Sequence, residues 1–217
     1  MKPDISKGLI ARLWQTFVKI RRFLWHHLYQ KEVDIVGFKD LSQPARIEVP
    51  DEVTIEAFDS NNEKELRNFA YAHLQNYPDA IKRFEDCIAR GFFGMIARHH
   101  GVLIGYGWWV NDKMLHPQVE ALSLPIGSGD VYGFDVFIGQ EFRGRHAGLQ
   151  SMVASARYLQ ALGYSRFISI IRTDNIRSLR VHSQWGWQEF ERRTVFTIAT
   201  CLIYCHGRLR WRNRVWF

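Results

Sequence analysis

The chain of 217 residues is poor in the residues that build special architectures, with three cysteines, six prolines and four methionines. Cys87, Cys201 and Cys205 form neither a paired framework nor a CxxC spacing, so a disulfide scaffold and a cysteine-based metal or redox motif are excluded. Cys201 and Cys205 lie in an apolar stretch and read as buried thiols. No uninterrupted apolar run reaches the roughly 18 to 20 residues of a membrane span. The apolar N-terminal stretch is broken by Arg12, Lys19, Arg21 and Arg22 and has no small-residue cleavage site. A chain that is neither spanning nor secreted, in a reducing cytoplasm, is the expectation. Repeats and low-complexity tracts are absent too, and 47% hydrophobic with 24% charged residues is a globular composition.

Lysine is missing from the part of the chain with the largest net positive charge. The net charge of +7 divides into +4 for residues 1–50, −4 for residues 51–125 and +7 for residues 126–217, and all 13 basic residues of the last part are arginine. Arginine suits bidentate phosphate contacts, so an anionic ligand is favoured there. No nucleic-acid-binding motif accompanies the charge, and no nucleic-acid partner is expected.

Leu9, Leu13, Phe17, Ile20, Leu24 and Leu28 recur at helical spacing with basic residues between them, which predicts an amphipathic helix from Lys7 to Gln30. Such a helix either lies on a membrane surface or packs against its own domain or a second subunit in a homodimer, and packing is the more ordinary outcome. Residues 39–50 read as an extended connector, so residues 1–50 form an N-terminal extension and residues 51–217 the main domain. Within that domain Val53–Phe58 alternates like a strand. Asn62 and Glu65 make a capping-box-like helix start, and Pro78 opens a second helix that stops at Gly91. Phe92–Ala97 and Val102–Val110 form a hairpin, a polar connector follows, and Val131–Ile138 is a strand. A helix from about Gly148 to Leu162, a strand over Arg166–Ile171, a helix over Ile176–Trp185 and a strand-rich tail complete an α/β pattern with a mixed sheet flanked by helices. The tail ends in Arg208-Leu209-Arg210-Trp211-Arg212-Asn213-Arg214, which alternates like an edge strand.

Between strand and helix lies Val136-Phe137-Ile138-Gly139-Gln140-Glu141-Phe142-Arg143-Gly144-Arg145-His146-Ala147-Gly148-Leu149. A strand-to-helix loop of this kind exposes successive backbone N–H groups at the positive end of a helix dipole and can hold a pyrophosphate. Residues 131–196 resemble the acyl-CoA-binding half of the GCN5-related N-acetyltransferase (GNAT) superfamily. Its signature Gln/Arg-x-x-Gly-x-Gly/Ala is matched by Arg143-Gly144-Arg145-His146-Ala147-Gly148 at the first and last positions, with His146 in place of the middle glycine. Its later pattern Asn-x-x-Ser/Ala-x-x-x-Tyr-x-x-x-Gly-Phe is echoed from Asn175 to Trp187, with His182 for Tyr and Trp187 for Phe.

The resemblance implies a GNAT-like acyl-CoA N-acyltransferase fold in which the backbone of Val136, Phe137 and Ile138 pairs with the pantetheine arm as an extra strand. By the same resemblance Gly144, Arg145, His146, Ala147, Gly148 and Leu149 hold the pyrophosphate, Arg143 and Arg145 contact phosphate oxygens, and Asn175 lies near the reactive end. Gly144 and Gly148 also fit plain turn and packing roles. His146 reads equally as a phosphate contact, a solvated helix-start residue or the mark of a damaged site; a non-glycine there needs only helical dihedrals, yet its Cβ narrows the approach. Acetyl-CoA as co-substrate, a small-molecule primary amine as acceptor and no metal are the implied chemistry.

Thioester aminolysis needs a proton acceptor for the amine and benefits from a proton for the departing thiolate. At the position where many family members carry a Tyr, His182 is the candidate acid, since an imidazole near its reference pKa of about 6.5 is partly protonated at neutral pH. A helix residue packed on the sheet is the bland alternative. Asp135 is the first candidate base or substrate-binding group, against a plain pairing partner for an arginine, and Glu120, His99 and His100 are weaker ones. The rival to an enzyme is a non-catalytic module of the same fold, with His146 and His182 marking lost chemistry.

Overall fold

The computed structural model describes residues 29–213 apart from 115, 145, 199–200 and 207. The basic helix predicted from Lys7, the phosphate contact assigned to Arg145 and the burial of Cys201 and Cys205 lie outside the described residues. The helix does not extend to Gln30, because Tyr29–Asp40 is a strand, β1. Its polar residues Asp34 and Lys39 are both buried, so the strand escapes a reading based on hydrophobicity alone. Among the described residues no helix is long and apolar enough to cross a membrane.

The chain forms two compact units, residues 35–192 and the described residues on either side of them. In the first, β1 is followed by β2 (Val53–Ala57), α1 (Glu63–Leu74), α2 (Pro78–Ala89), β3 (Phe93–His99) and β4 (Val102–Val110). Then come α3 (Pro117–Leu122), β5 (Asp130–Ile138), a single 3-10 turn (Gln140–Phe142), α4 (Ala147–Ala161), β6 (Arg166–Arg172), α5 (Ile176–Trp185) and β7 (Gln188–Ile198). Their strand order is β2-β3-β4-β5-β6-β1-β7, antiparallel from β2 to β5 and parallel between β5 and β6. The predicted mixed sheet flanked by helices is therefore present. In the second unit the later residues of β7, Thr194–Ile198, pair antiparallel with β8 (Cys201–His206), and β8 with β9 (Arg208–Asn213), so the arginine-rich tail is an edge strand as its alternation predicts.

One face of the sheet in the first unit is covered by α4, whose Leu149, Met152, Ala156 and Leu159 share a core with Met95, Trp109, Val131 and Phe167. The other face carries α1 and α2 through aromatic contacts, Phe84 on Tyr106 and Trp108, and Phe69 on Phe137. Two local expectations fail. Asn62 precedes α1 but caps nothing: its amide bridges the Asp59 N–H and the Ala57 carbonyl, while Glu65 is drawn to Arg98. The connector after β4 contains α3, which starts at Pro117 and is capped by His116, whose Nδ1 accepts the Gln118 N–H at 3.1 Å.

What positions a site is the way β5 parts from β6. At one end they are clamped: buried Asp130 takes two hydrogen bonds from Arg166, at 2.8 and 2.6 Å, and a third from the Gly127 N–H. Their pairing runs Asp130↔Arg166, Val131↔Phe167, Tyr132↔Ile168 and stops. The Phe167 ring fills the space beside Gly133, so that a Cβ there would stand 2.0 Å from the ring. Gly133→Ala is expected to cost about 1–3 kcal/mol by overpacking, read from urea unfolding; an unchanged midpoint would mean that the ring moves aside freely.

Candidate active site

Beyond Tyr132 the β6-facing edge of β5 has no strand partner, while its other edge stays paired with β4 through Phe137 and Ile138. The β4 register slips between Tyr106 and Trp108, which oppose Phe137 and Phe134, so Gly107 alone faces Asp135 and Val136. This is a β-bulge, and Asp135 within it takes a left-handed φ of +44°. Simple alternation would send Asp135 to the face opposite Phe134. The bulge instead turns it toward α2, where its Oδ2 lies 3.4 Å from Arg83 Nε.

Asp135 shares that recess with Tyr106 and Cys87. Burial pushes the Asp135 carboxyl above its ordinary range, and the Arg83 guanidinium opposes the shift. Burial, then the Asp135 charge, raise the Tyr106 phenol, and the same two causes push the Cys87 thiol up to about 12. Tyr106 and Cys87 are therefore uncharged at neutral pH. Sequence reasoning missed Arg83, Tyr106 and Cys87; the spacing Arg83 to Cys87 puts both on one helix turn, but nothing in it points to β5.

On the α4 face, an apolar cleft is lined by residues of β2, β3, β4 and β5. Val136 and Ile138 line it together with Ser151, Ser155, Phe167 and Trp185. The Ser151 hydroxyl is buried without a hydrogen-bond partner, an orphan that a polar group of an extended ligand would satisfy. Neither serine was singled out from the sequence.

The loop before α4 follows Ile138, at the end of β5. Gly144 has a φ of +83° with nothing near its missing Cβ, and Arg143 Nε donates to the Ile138 carbonyl at 2.9 Å. The first bond of α4 runs from the Gln150 N–H to the His146 carbonyl, so the amides of Ala147, Gly148 and Leu149 precede the helical ladder. A Cβ at Gly148 would make only an ordinary contact with Val181 at 3.9 Å. Packing thus does not demand glycine there, and the room it leaves fits the close approach of a phosphate. His146 corrects the expectation of helical dihedrals: it is exposed and left-handed, φ +59°, with no side-chain cap. A left-handed backbone is one that glycine adopts without strain, and the family signature has glycine at this position.

Asn175 caps α5 by accepting the Ser178 N–H at 3.2 Å. His182, on α5, is corrected in its charge. Buried against the Trp185 and Trp187 rings, it is driven down to about 4 by loss of solvent, which the bond to the Ser178 carbonyl only partly offsets. A carbonyl can only accept, so the 2.9 Å contact makes Nδ1 the protonated nitrogen. The imidazole is neutral at pH 7, contrary to the partial protonation expected of it. Of the weaker candidates, Glu120 lies on α3, and His99 and His100 are at the β3–β4 turn.

A family model described as the acetyltransferase (GNAT) family matches residues 55–187. The chain belongs to this family. A curated relative, a mycothiol acetyltransferase of Frankia casuarinae, is 32% identical over 104 residues, 48% of this chain and 28% of that protein. The chain thus spans little more than a quarter of that relative's length. Among solved structures, the glucosamine N-acetyltransferase region of a fungal multi-domain β-N-acetylglucosaminidase aligns with a TM-score of 0.57 at 16% identity, over 86% of this chain and 22% of that one. A GNAT-family acetyltransferase of Colwellia psychrerythraea aligns with a TM-score of 0.54 at 13% identity, over 78% and 57%.

Two predictions follow from the local geometry. His146→Gly removes left-handed strain, offset in part by the entropy of glycine, and is expected to raise stability by about 0.5–1 kcal/mol in chemical unfolding. His182 and His116 are both held near 4 by burial. Their unfolded forms take protons from about pH 6.5 downward, so each withdraws about 3 kcal/mol as pH falls from 6.5 to 4 and nothing further below. His182→Phe should flatten the unfolding free energy across that window by one histidine's share; an unchanged slope would contradict the burial.

Proposed function

We propose that the chain is an acyl-CoA-dependent N-acyltransferase that takes acetyl-CoA and a small-molecule primary amine and joins them directly in a ternary complex. The observation that carries this reading is the open edge of β5 from Gly133 to Ile138, which ends at a glycine-bearing loop and the free amides of α4. A strand edge in that setting can take an extended amide-bearing arm, and a helix start can take its diphosphate. Backbone groups of Val136, Phe137 and Ile138 would hold the arm. The amides of residues 144–149 would hold the phosphates with Arg143, and Ser151 would give or accept one bond inside the cleft. Bound there, the thioester supplies an activated acyl carbon.

The protein's own part is to orient the amine and take its proton. Asp135 meets the cleft region from the opposite face of the sheet, at the bulge, and its raised proton affinity suits a group that receives a proton from an alkylammonium. Arg83 holds the carboxylate in place. Tyr106, kept neutral, is a hydroxyl donor at the same recess. His182, neutral and with Nδ1 engaged by Ser178, is a packing residue in this scheme, and water protonates the leaving thiolate. A cytoplasmic setting accords with this use of acyl-CoA.

Calorimetric titration with acetyl-CoA, followed by a free-thiol assay over a panel of amines, tests the proposal. Binding in the micromolar range with amine-dependent thiol release is expected, and Asp135→Asn should lower kcat by about 100-fold with acetyl-CoA affinity unchanged. Absence of binding at millimolar acetyl-CoA would refute it. The neutral His182 also favours a second reading, a module of the same fold that binds acyl-CoA without catalysis. Tight binding with no thiol released from any amine would select that reading.

A further inference from the structure

Away from the cleft, Glu52, His99 and His100 bring one carboxylate oxygen and two ring nitrogens within 4.8 Å of one another. Glu52 stands just before β2, and the histidines are adjacent in sequence at the β3–β4 turn. Two neighbours on a regular strand would point to opposite faces. Here His100 takes a left-handed φ of +50°, followed by Gly101 at +81°, and the two rings meet edge to face with centroids 4.2 Å apart.

Glu52 Oε2 is 3.2 Å from His99 Nε2. For bonds of about 2.0–2.2 Å, the edge of a tetrahedral coordination shell is roughly 3.4 Å long, so this pair is already at ligand spacing and the His100 ring needs a small rotation to complete it. The carboxylate is steered by a neighbour: Gln150, buried in the first turn of α4, donates Nε2 to the same oxygen at 3.5 Å. The other end of that amide, Oε1, is buried with no hydrogen-bond partner. A metal-bound water beside Glu52 would supply the missing donor. Nearby charges are otherwise engaged, Asp51 with Arg157, and Arg98 with Glu56 and Glu65.

We propose that Glu52, His99 and His100 form a site for a divalent transition-metal ion of the zinc class. Two imidazoles and a carboxylate, with room for water, are a donor set that selects zinc or nickel over magnesium. The ion would tie the β3–β4 turn and the lead to β2 to the first turn of α4, next to the phosphate-binding loop. The glutamate and the first histidine are 47 residues apart, so no local spacing in the sequence marks the site.

The experiment is calorimetry of the untagged, chelator-treated full chain with zinc chloride, nickel chloride and magnesium chloride. Expected are one equivalent of zinc or nickel bound with a dissociation constant on the order of micromolar, no binding of magnesium, and a thermal midpoint raised by zinc. Glu52→Gln, which keeps the side chain's shape, and the double change His99→Asn with His100→Asn should each weaken zinc at least ~10-fold while circular dichroism shows the wild-type fold. The variants retain every other histidine and all the cysteines. No zinc binding, or equal zinc binding by wild type and both variants, would overturn the site.

Discussion

The refusal of β5 to pair with β6 beyond Tyr132 is the constraint on which the rest of the first unit depends. A parallel pair held by the Asp130–Arg166 clamp at one end would ordinarily continue along the strands, since each unpaired amide in an interior costs roughly 1–3 kcal/mol. The Phe167 ring lies on the face of β5 at Gly133, the first residue beyond the pairing. From there the two strands diverge, β5 staying with β4 and β6 running toward α5. The opening between them puts backbone donors and acceptors next to an apolar cleft, a combination that a folded chain does not keep for its own packing.

The bulge acts on the same strand and sorts its side chains. Val136 and Ile138 face the cleft on the α4 side, while Phe134, Asp135 and Phe137 turn to the α1 and α2 side. This sorting gives each face of the strand its own surface, apolar on the α4 side and charged beside Arg83 on the other. Tyr106 and Cys87 are buried and uncharged at neutral pH, while the partly exposed Asp135 carboxyl has the Arg83 guanidinium beside it. Neutral His182 falls on the packing side of the ledger, wedged between indole rings.

Much of this was legible in the residues themselves. The strand-loop-helix run from Val136 to Leu149 and the helix Ile176–Trp185 stand where periodicity and the two motifs place them, because glycines and apolar spacing punctuate the chain there. What escaped depends on partners distant in sequence. Strand β1 buries Asp34 and Lys39, polar residues that do not advertise a strand; Lys39 is satisfied by the Gln43 and Pro44 carbonyls. The bulge at Asp135 is a property of two strands in register and has no mark within one. His146 looked compatible with a helix, but as the residue before the first helical turn it inherits a left-handed backbone, and side-chain type alone does not disclose that. The pKa of His182 likewise follows from two tryptophans and a carbonyl.

The open edge of β5 belongs to a central strand, with β4 on one side and β6 beginning on the other. A hydrogen-bonding edge at the rim of a sheet is available to any passing strand, and proteins guard such edges against aggregation. The edge of β5 is instead recessed between two strands that are joined at one end by the Asp130–Arg166 clamp. Its unpaired backbone groups thus lie inside the sheet rather than along its rim, away from the positions where a sheet is open to strand exchange between copies.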